Sequence, residues 1–302
     1  MIIPAPLQKG DTIHIVSPAG KIDPKQFYPA VENLERNGFH IRVGEHVLSQ
    51  HFQYSGTDAQ RLMDVQAAFD DSEAACIICS RGGYGTIRLL PSIRLDGFMK
   101  KPKWLLGFSD ITILHAHVGN AGVASVHGAM TKSLSVAGTL STDTALNALK
   151  GLGMYYLLPH HEMNRAGKTE AVVTGGNLSV LYSLLGTPYF PETKGKILFI
   201  EDLNEYLYHI DRMMISLKLA GVLQHISGLI VGSFSDMLDN KNPFGKNAYQ
   251  IVAEHVADYS YPVCFGFPAG HTDDNRSIVF GADTVFEVSN TKTELYTKDL
   301  NM

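Results

Sequence analysis

An α/β fold built on a parallel sheet is what this 302-residue sequence predicts. Three observations carry that reading. Short apolar runs alternate with stretches whose apolar residues recur at helical spacing, the pattern of strands joined by crossover helices. The runs at 74–79, 104–106 and 228–232 are apolar almost throughout, as strands covered on both faces are. Polar and glycine-rich loops follow the runs at 74–79 and 104–106, and in such sheets ligands gather beyond the carboxyl ends of the strands.

Residues 11–20 read as a first strand ending in the small-residue loop Ser17-Pro18-Ala19-Gly20. Residues 27–38 carry Tyr28, Val31 and Leu34 at helical spacing and stop at Gly38, a helix terminator. A second strand falls at 40–43. Residues 58–70 form a helix with Leu62, Val65 and Phe69 on one face. The strand around Cys76 comes next, then a glycine loop, a short helix near 86–90, the Trp104 strand, and a helix bearing His115 and Val118. From about 130 to 168 the pattern is broken by Gly138, Gly151, Gly153, Pro159 and Gly167, which reads as a partly helical connection between domains. The second half opens with residues 172–178. It continues as a helix (178–185), a strand ending in Glu201-Asp202, a long amphipathic helix (206–221), a buried strand (228–232), a helix (248–257) and a strand (262–266). Residues 277–280, 284–288 and 293–296 read as a closing β-meander. The division expected is 1–135, a connection at 136–168, and 169–302.

With 45% hydrophobic and 18% charged residues the chain is an ordinary globular protein, long enough for two domains. A net charge of -5 implies no basic face and excludes nucleic acid as the expected partner. No signal peptide is legible at Met1-Ile2-Ile3-Pro4, and no run approaches the ~20 apolar residues of a membrane helix, so the expected location is the cytoplasm. Three cysteines make no disulfide framework. Cys76 and Cys79 have C-x-x-C spacing, but they lie within a strand, three residues apart and so on opposite faces, which reads as core packing. His115 and His117, two apart on a helix, and His160-His161-Glu162 match no zinc spacing, so no metal and no cofactor are expected.

Ser109 stands at the corner between the Trp104 strand and a helix. A serine there is held on a tight turn with its hydroxyl outward, and the next amide sits at a helix N-terminus, the geometry of a nucleophile. Ser109 or Asp110 could equally cap that helix. The loop Ser80-Arg81-Gly82-Gly83-Tyr84-Gly85-Thr86 has neither dinucleotide nor P-loop spacing. Its glycines let backbone approach a ligand and supply an oxyanion hole, or simply make a tight turn. Glu201 ends a strand, and Asp202 beside it could be a helix cap. His271 lies in a loop after a strand. Serine, acid and histidine in that order, each at a strand end, is an order a serine triad can take.

Gly82-Gly83-Tyr84-Gly85, Gly107-Phe108-Ser109-Asp110-Ile111-Thr112, Val126-His127-Gly128, Gly175-Gly176-Asn177-Leu178, Ile200-Glu201-Asp202 and Pro268-Ala269-Gly270-His271 occur in the order and spacing of the LD-carboxypeptidase family of serine peptidases, which the chain resembles over nearly its whole length. The resemblance implies a flavodoxin-like N-terminal domain, of the class I glutamine-amidotransferase-like kind, and a swivelling β/α C-terminal domain. It implies Ser109 as nucleophile, Glu201 as orienting acid, His271 as general base, and the amides of Gly83 and Asp110 as oxyanion hole. It further implies a homodimer that releases terminal D-Ala from cytoplasmic murein tetrapeptide during peptidoglycan recycling. Such an exopeptidase must also recognise a free carboxylate, a task suited to a guanidinium. Arg81 and Tyr84 beside the glycine loop are the candidates, with Arg276 and Asn275 behind them; a structural ion pair is the alternative role for Arg81. Some family members act instead on peptidyl- or aminoacyl-nucleotides and confer antibiotic immunity. An aromatic platform would be expected there, and Trp104, the one tryptophan, falls in a core strand, leaving Tyr206 or Tyr208. A silent sugar-peptide binding protein on this scaffold is argued against by the intact serine, acid and histidine.

Overall fold

The computed structural model describes residues 1–136, 138–297 and 300, with Lys132 by its backbone alone. Among them are thirteen strands. The first five are β1 (Thr12–Val16), β2 (His40–Val43), β3 (Ala74–Cys79), β4 (Trp104–Gly107) and β5 (Ser125–His127). They pair in parallel in the order 2-1-3-4-5, the flavodoxin-like doubly wound order the resemblance implies. The helix Pro24–Arg36 starts on Asp23, whose carboxylate accepts from the Lys25 amide, and has Pro24 in its first turn. Thr57 and Gln60 make a reciprocal capping box for the helix Asp58–Asp70.

In the second half β6 (Tyr155–Pro159) precedes β7 (Gly167–Asn177), β8 (Ile197–Leu203), β9 (Gly228–Ser235) and β10 (Val263–Phe265). The last four lie side by side in parallel. Three short strands follow: β11 (Ile278–Phe280), β12 (Asp283–Val288) and β13 (Lys292–Thr297). β11 pairs with β5 antiparallel and bridges β7 through Phe280 and Val173, so both halves share one sheet.

The expected closing meander is therefore corrected. β12 and β13 form a hairpin, extended by β6 on one side and the start of β7 on the other. β11 leaves it because Ile278, Val279 and Phe280 are all buried, which suits a strand covered on both faces and not a hairpin with a wet side. β6 was hidden within the expected connection because its outward residues, Tyr155 and Leu157, are apolar too, leaving no alternation to read.

Cys76 and Cys79 lie in hydrophobic clusters on opposite faces of β3, and burial pushes both thiols up. Trp104 is fully buried and its indole donates to the Ala5 carbonyl at 3.0 Å. His115 is buried between Ser125 Oγ (2.8 Å) and the Gly107 carbonyl (2.9 Å), and burial drives its pKa down to about 4. The sign of the linkage follows. Stability from this neutral ring is intact above its unfolded pKa near 6.5 and drains as pH falls toward 4, because the unfolded chain takes the proton first. Urea midpoints measured across that window should fall, and the slope should be shallower in His115→Gln; an unchanged slope contradicts this role.

Candidate active site

The serine corner follows β4. Ser109 has φ +65, one of four left-handed non-glycine residues among those described. Non-glycine residues rarely adopt this region, and such strain clusters at functional turns. The turn Ser109–Ile111 leads into the helix Thr112–Asn120, and neither Ser109 nor Asp110 caps it with a side chain. The capping alternative fails for Ser109. Asp110 does act as a cap, but elsewhere: its Oδ2 accepts from the Thr86 amide at 2.8 Å, at the start of the short helix Thr86–Leu89. That bond ties the glycine loop to the serine turn. The two lie so close that a Cβ on Gly82 would stand 2.8 Å from the Ser109 Cβ and 3.4 Å from the Asp110 nitrogen.

His271 comes from the loop after β10. Its Nε2 lies 3.1 Å from Ser109 Oγ, and its Nδ1 lies 2.8 Å from Glu201 Oε2. Glu201, near the end of β8, is fully buried. Burial by itself lowers the His271 pKa, but the hydrogen bond to Glu201 and the charges of Glu201 and Asp202 outweigh it, so the net shift is upward. The ring is held further by Phe108, whose centroid is 5.0 Å away, and by Ser235 Oγ, which donates to the His271 carbonyl at 2.9 Å.

Gly270 has φ +109, and a Cβ there would stand 2.5 Å from Glu201 Oε2 and 2.8 Å from Glu201 Cβ. Gly270→Ala is thus expected to displace the carboxylate from His271 and to cut turnover by roughly a hundredfold, the scale of losing one well-placed catalytic contact. Wild-type kcat in that variant contradicts the assigned packing.

Asp202 turns away from His271. Its carboxylate accepts from Asn177 Nδ2 (2.9 Å), the Ser179 amide (2.9 Å) and the Leu203 amide (2.8 Å). It therefore anchors the start of the helix Leu178–Leu184, so the cap reading holds in kind, for the helix that precedes it in the chain. Burial and the Glu201 charge push its pKa up to about 7 against those hydrogen bonds. Across the two halves, Thr112 Oγ1 accepts from the Asn177 amide at 3.0 Å. Asn177 and Thr112 both stand in motifs quoted above, but nothing in the sequence shows that they meet.

A cavity of about 470 Å³ opens over Ser109 and His271, lined also by Arg81, Gly83, Met130 and Leu203. Arg81 is exposed, makes no ion pair among the described residues, and donates through Nη1 to the Lys21 carbonyl at 3.0 Å. Tyr84 is not among the residues lining this cavity; its ring faces Tyr54 at 6.3 Å. Arg276 is engaged by Asp274 at 2.8 Å, and Asn275 Oδ1 accepts from the Gly270 amide at 2.9 Å, so both shape the histidine loop. A larger cleft of about 830 Å³, lined by Asn120, Lys194, Lys196 and His225, includes none of the three converging residues. No group of three or more potential metal ligands occurs among the described residues.

A hydroxyl strained onto a strand-to-helix corner, facing an imidazole that a buried carboxylate orients, is the working geometry of serine-type hydrolases. The chain belongs to the LD-carboxypeptidase family, whose N-terminal domain matches residues 13–128 and whose C-terminal domain matches residues 170–286. It is 34% identical over 294 residues to a probable murein peptide carboxypeptidase of Bacillus subtilis, covering 92% of this chain and 89% of that one. It is 29% identical to the microcin C7 self-immunity protein MccF of Escherichia coli, covering 96% and 94%. Its fold superposes on the crystal structure of muramoyltetrapeptide carboxypeptidase from Oxalobacter formigenes with a TM-score of 0.87 at 25% identity, covering 95% of this chain and 99% of that one.

Proposed function

We propose that this protein is a serine carboxypeptidase that releases terminal D-Ala from murein tetrapeptide in the cytoplasm. The observation that carries the proposal is the continuous path from Ser109 Oγ through His271 to Glu201. Residues 1–135 supply the serine and residues 169–302 the acid and histidine, joined through 136–168. His271 Nε2 takes the proton as Ser109 Oγ attacks the carbonyl of the L,D-amide. Glu201 accepts from Nδ1, which keeps the useful tautomer and steadies the imidazolium. The amides of Gly83 and Asp110 receive the developing oxyanion, each donor worth about 3 kcal/mol in the barrier. His271 then protonates the departing D-Ala amine, and water, deprotonated by the same ring, releases the acyl group from Ser109. Arg81, at the cavity wall, takes the substrate carboxylate.

The test is to incubate the protein with the tetrapeptide and follow free D-Ala. Release of D-Ala supports the proposal; an inert tetrapeptide beside hydrolysis of an aminoacyl-nucleotide would replace it with the reading that the likeness to MccF suggests. The tetrapeptide is preferred because Trp104 is fully buried and neither Tyr206 nor Tyr208, though exposed, is among the residues lining the cavity over Ser109.

The pH profile has a definite sign. The general base works only when neutral, and Glu201 raises the pKa at which His271 becomes so. The acid limb of kcat/KM is therefore expected at a pH above about 6.5, with activity lost on acidification. A limb well below 6.5 contradicts this assignment.

A further inference from the structure

Glu201 Oε1 and Ser233 Oγ are buried beside the site with no hydrogen-bond partner among the described residues, as is Asn275 Nδ2 in the histidine loop. Buried polar groups are almost always paired, so neighbouring orphans ask for each other or for a shared water. The Glu201 carboxylate and the Ser233 hydroxyl approach one common point, with Oε2 as the carboxylate's near oxygen. The point where a Cβ on Gly270 would stand lies 2.5 Å from Glu201 Oε2 and 2.7 Å from Ser233 Oγ. The strand register explains the approach. β8 and β9 pair Ile200 with Val231 and Asp202 with Phe234, with a shift between. Glu201 alone thus faces two residues, Gly232 and Ser233, the arrangement of a bulge, which re-aims side chains near functional sites. Gly232 adds room: a Cβ there would come 3.1 Å from the Glu201 Cβ and 2.6 Å from the Ala269 carbonyl. The Ser233 amide donates to that same carbonyl at 2.9 Å, fixing the backbone beneath the hydroxyl.

We propose that Ser233 is a positioning residue for Glu201. Its hydroxyl donates to the second carboxylate oxygen, directly after a small side-chain movement or through one bridging water. A serine hydroxyl is free to rotate and carries one proton to give, and a buried carboxylate oxygen can only accept. The bond divides the carboxylate's charge between Ser233 and His271. It fixes the rotamer that places Oε2 on Nδ1 and tempers the pull of Glu201 on the imidazolium. The inference rests on the serine-histidine-glutamate reading of the site. Ser233 is not among the residues lining the cavity over Ser109, so its loss is expected in kcat and not in KM.

The test is D-Ala release from murein tetrapeptide by the full-length Ser233→Ala, Ser233→Thr and Glu201→Gln variants, with pH profiles and melting temperatures. Ser233→Ala should lower kcat about tenfold, the scale of one hydrogen bond to a charged group, with KM unchanged. Its acid limb should move to higher pH, because a carboxylate that has lost one donor holds the imidazolium proton more tightly. Ser233→Thr, which keeps a hydroxyl, should restore most of the rate. Wild-type kcat with an unmoved limb in a folded Ser233→Ala protein overturns the inference, as does an equal loss in both serine variants. If Glu201→Gln itself leaves turnover intact, the relay reading falls; if it abolishes turnover while Ser233→Ala is silent, only the role of Ser233 is withdrawn.

Discussion

Ser109→Ala is expected to lower kcat for D-Ala release by at least about 10⁴-fold, the scale seen when a serine nucleophile is removed and only binding and oxyanion contacts remain. The reason is local. Ser109 Oγ lies 3.1 Å from His271 Nε2, and among the described residues no other nucleophilic side chain is hydrogen-bonded to that nitrogen. Binding should survive, because Arg81, Gly83 and Leu203 still line the cavity. The protein should also stay folded. Alanine inherits the left-handed backbone at φ +65, so whatever strain the turn carries is common to both chains. The check is steady-state D-Ala release beside a thermal melt; an undiminished rate in a folded variant removes the nucleophile assignment.

Glu201→Gln is expected to cost nearly as much, about 10³- to 10⁴-fold in kcat, while preserving the shape of the site. A glutamine amide facing Nδ1 can offer a donor where the ring needs an acceptor, which favours the tautomer whose Nε2 carries the proton and cannot act as a base. The carboxylate is fully buried, and its hydrogen bond and charge raise the His271 pKa. The acid limb in Glu201→Gln should therefore fall to lower pH even as the plateau drops. That direction is opposite to the one expected for Ser233→Ala. A limb that rises in Glu201→Gln contradicts the proposed link between the carboxylate and the ring.

Much of this was legible in the residues. The parallel pairing of β1 to β5 follows from apolar runs alternating with helical stretches, while their order is what the resemblance implies; Ser109, Glu201 and His271 each fall at or just after a strand end that the patterning marks. The sequence does not reveal what depends on distant pairing. β11 looks like a meander strand until its three buried residues are seen joining β5 to β7. β6 escapes because Tyr155 and Leu157 face outward, erasing the alternation that identifies a strand. Asp110 and Asp202 were both readable as caps, but the helices they serve lie 24 and 23 residues away, at Thr86 and Ser179. In the sequence Gly232 reads as the end of a buried strand and Gly270 as part of a loop. Only the packing shows why neither can carry a Cβ: at Gly270 it would meet the Glu201 carboxylate, and at Gly232 the Ala269 carbonyl and the Phe199 ring. Nor does the sequence show that the Tyr84 ring, between two glycines of positive φ, stands 6.3 Å from that of Tyr54.

The central claim is that an alcohol from the first half of the chain is activated by an imidazole from the second. The most direct measurement is reaction with a fluorophosphonate, followed by proteolysis and location of the adduct by mass spectrometry. One adduct per chain on Ser109, accumulating in step with loss of D-Ala release and absent from His271→Ala, is the expected result. Inactivation with the adduct on another residue, or full turnover by protein already modified at Ser109, would contradict it.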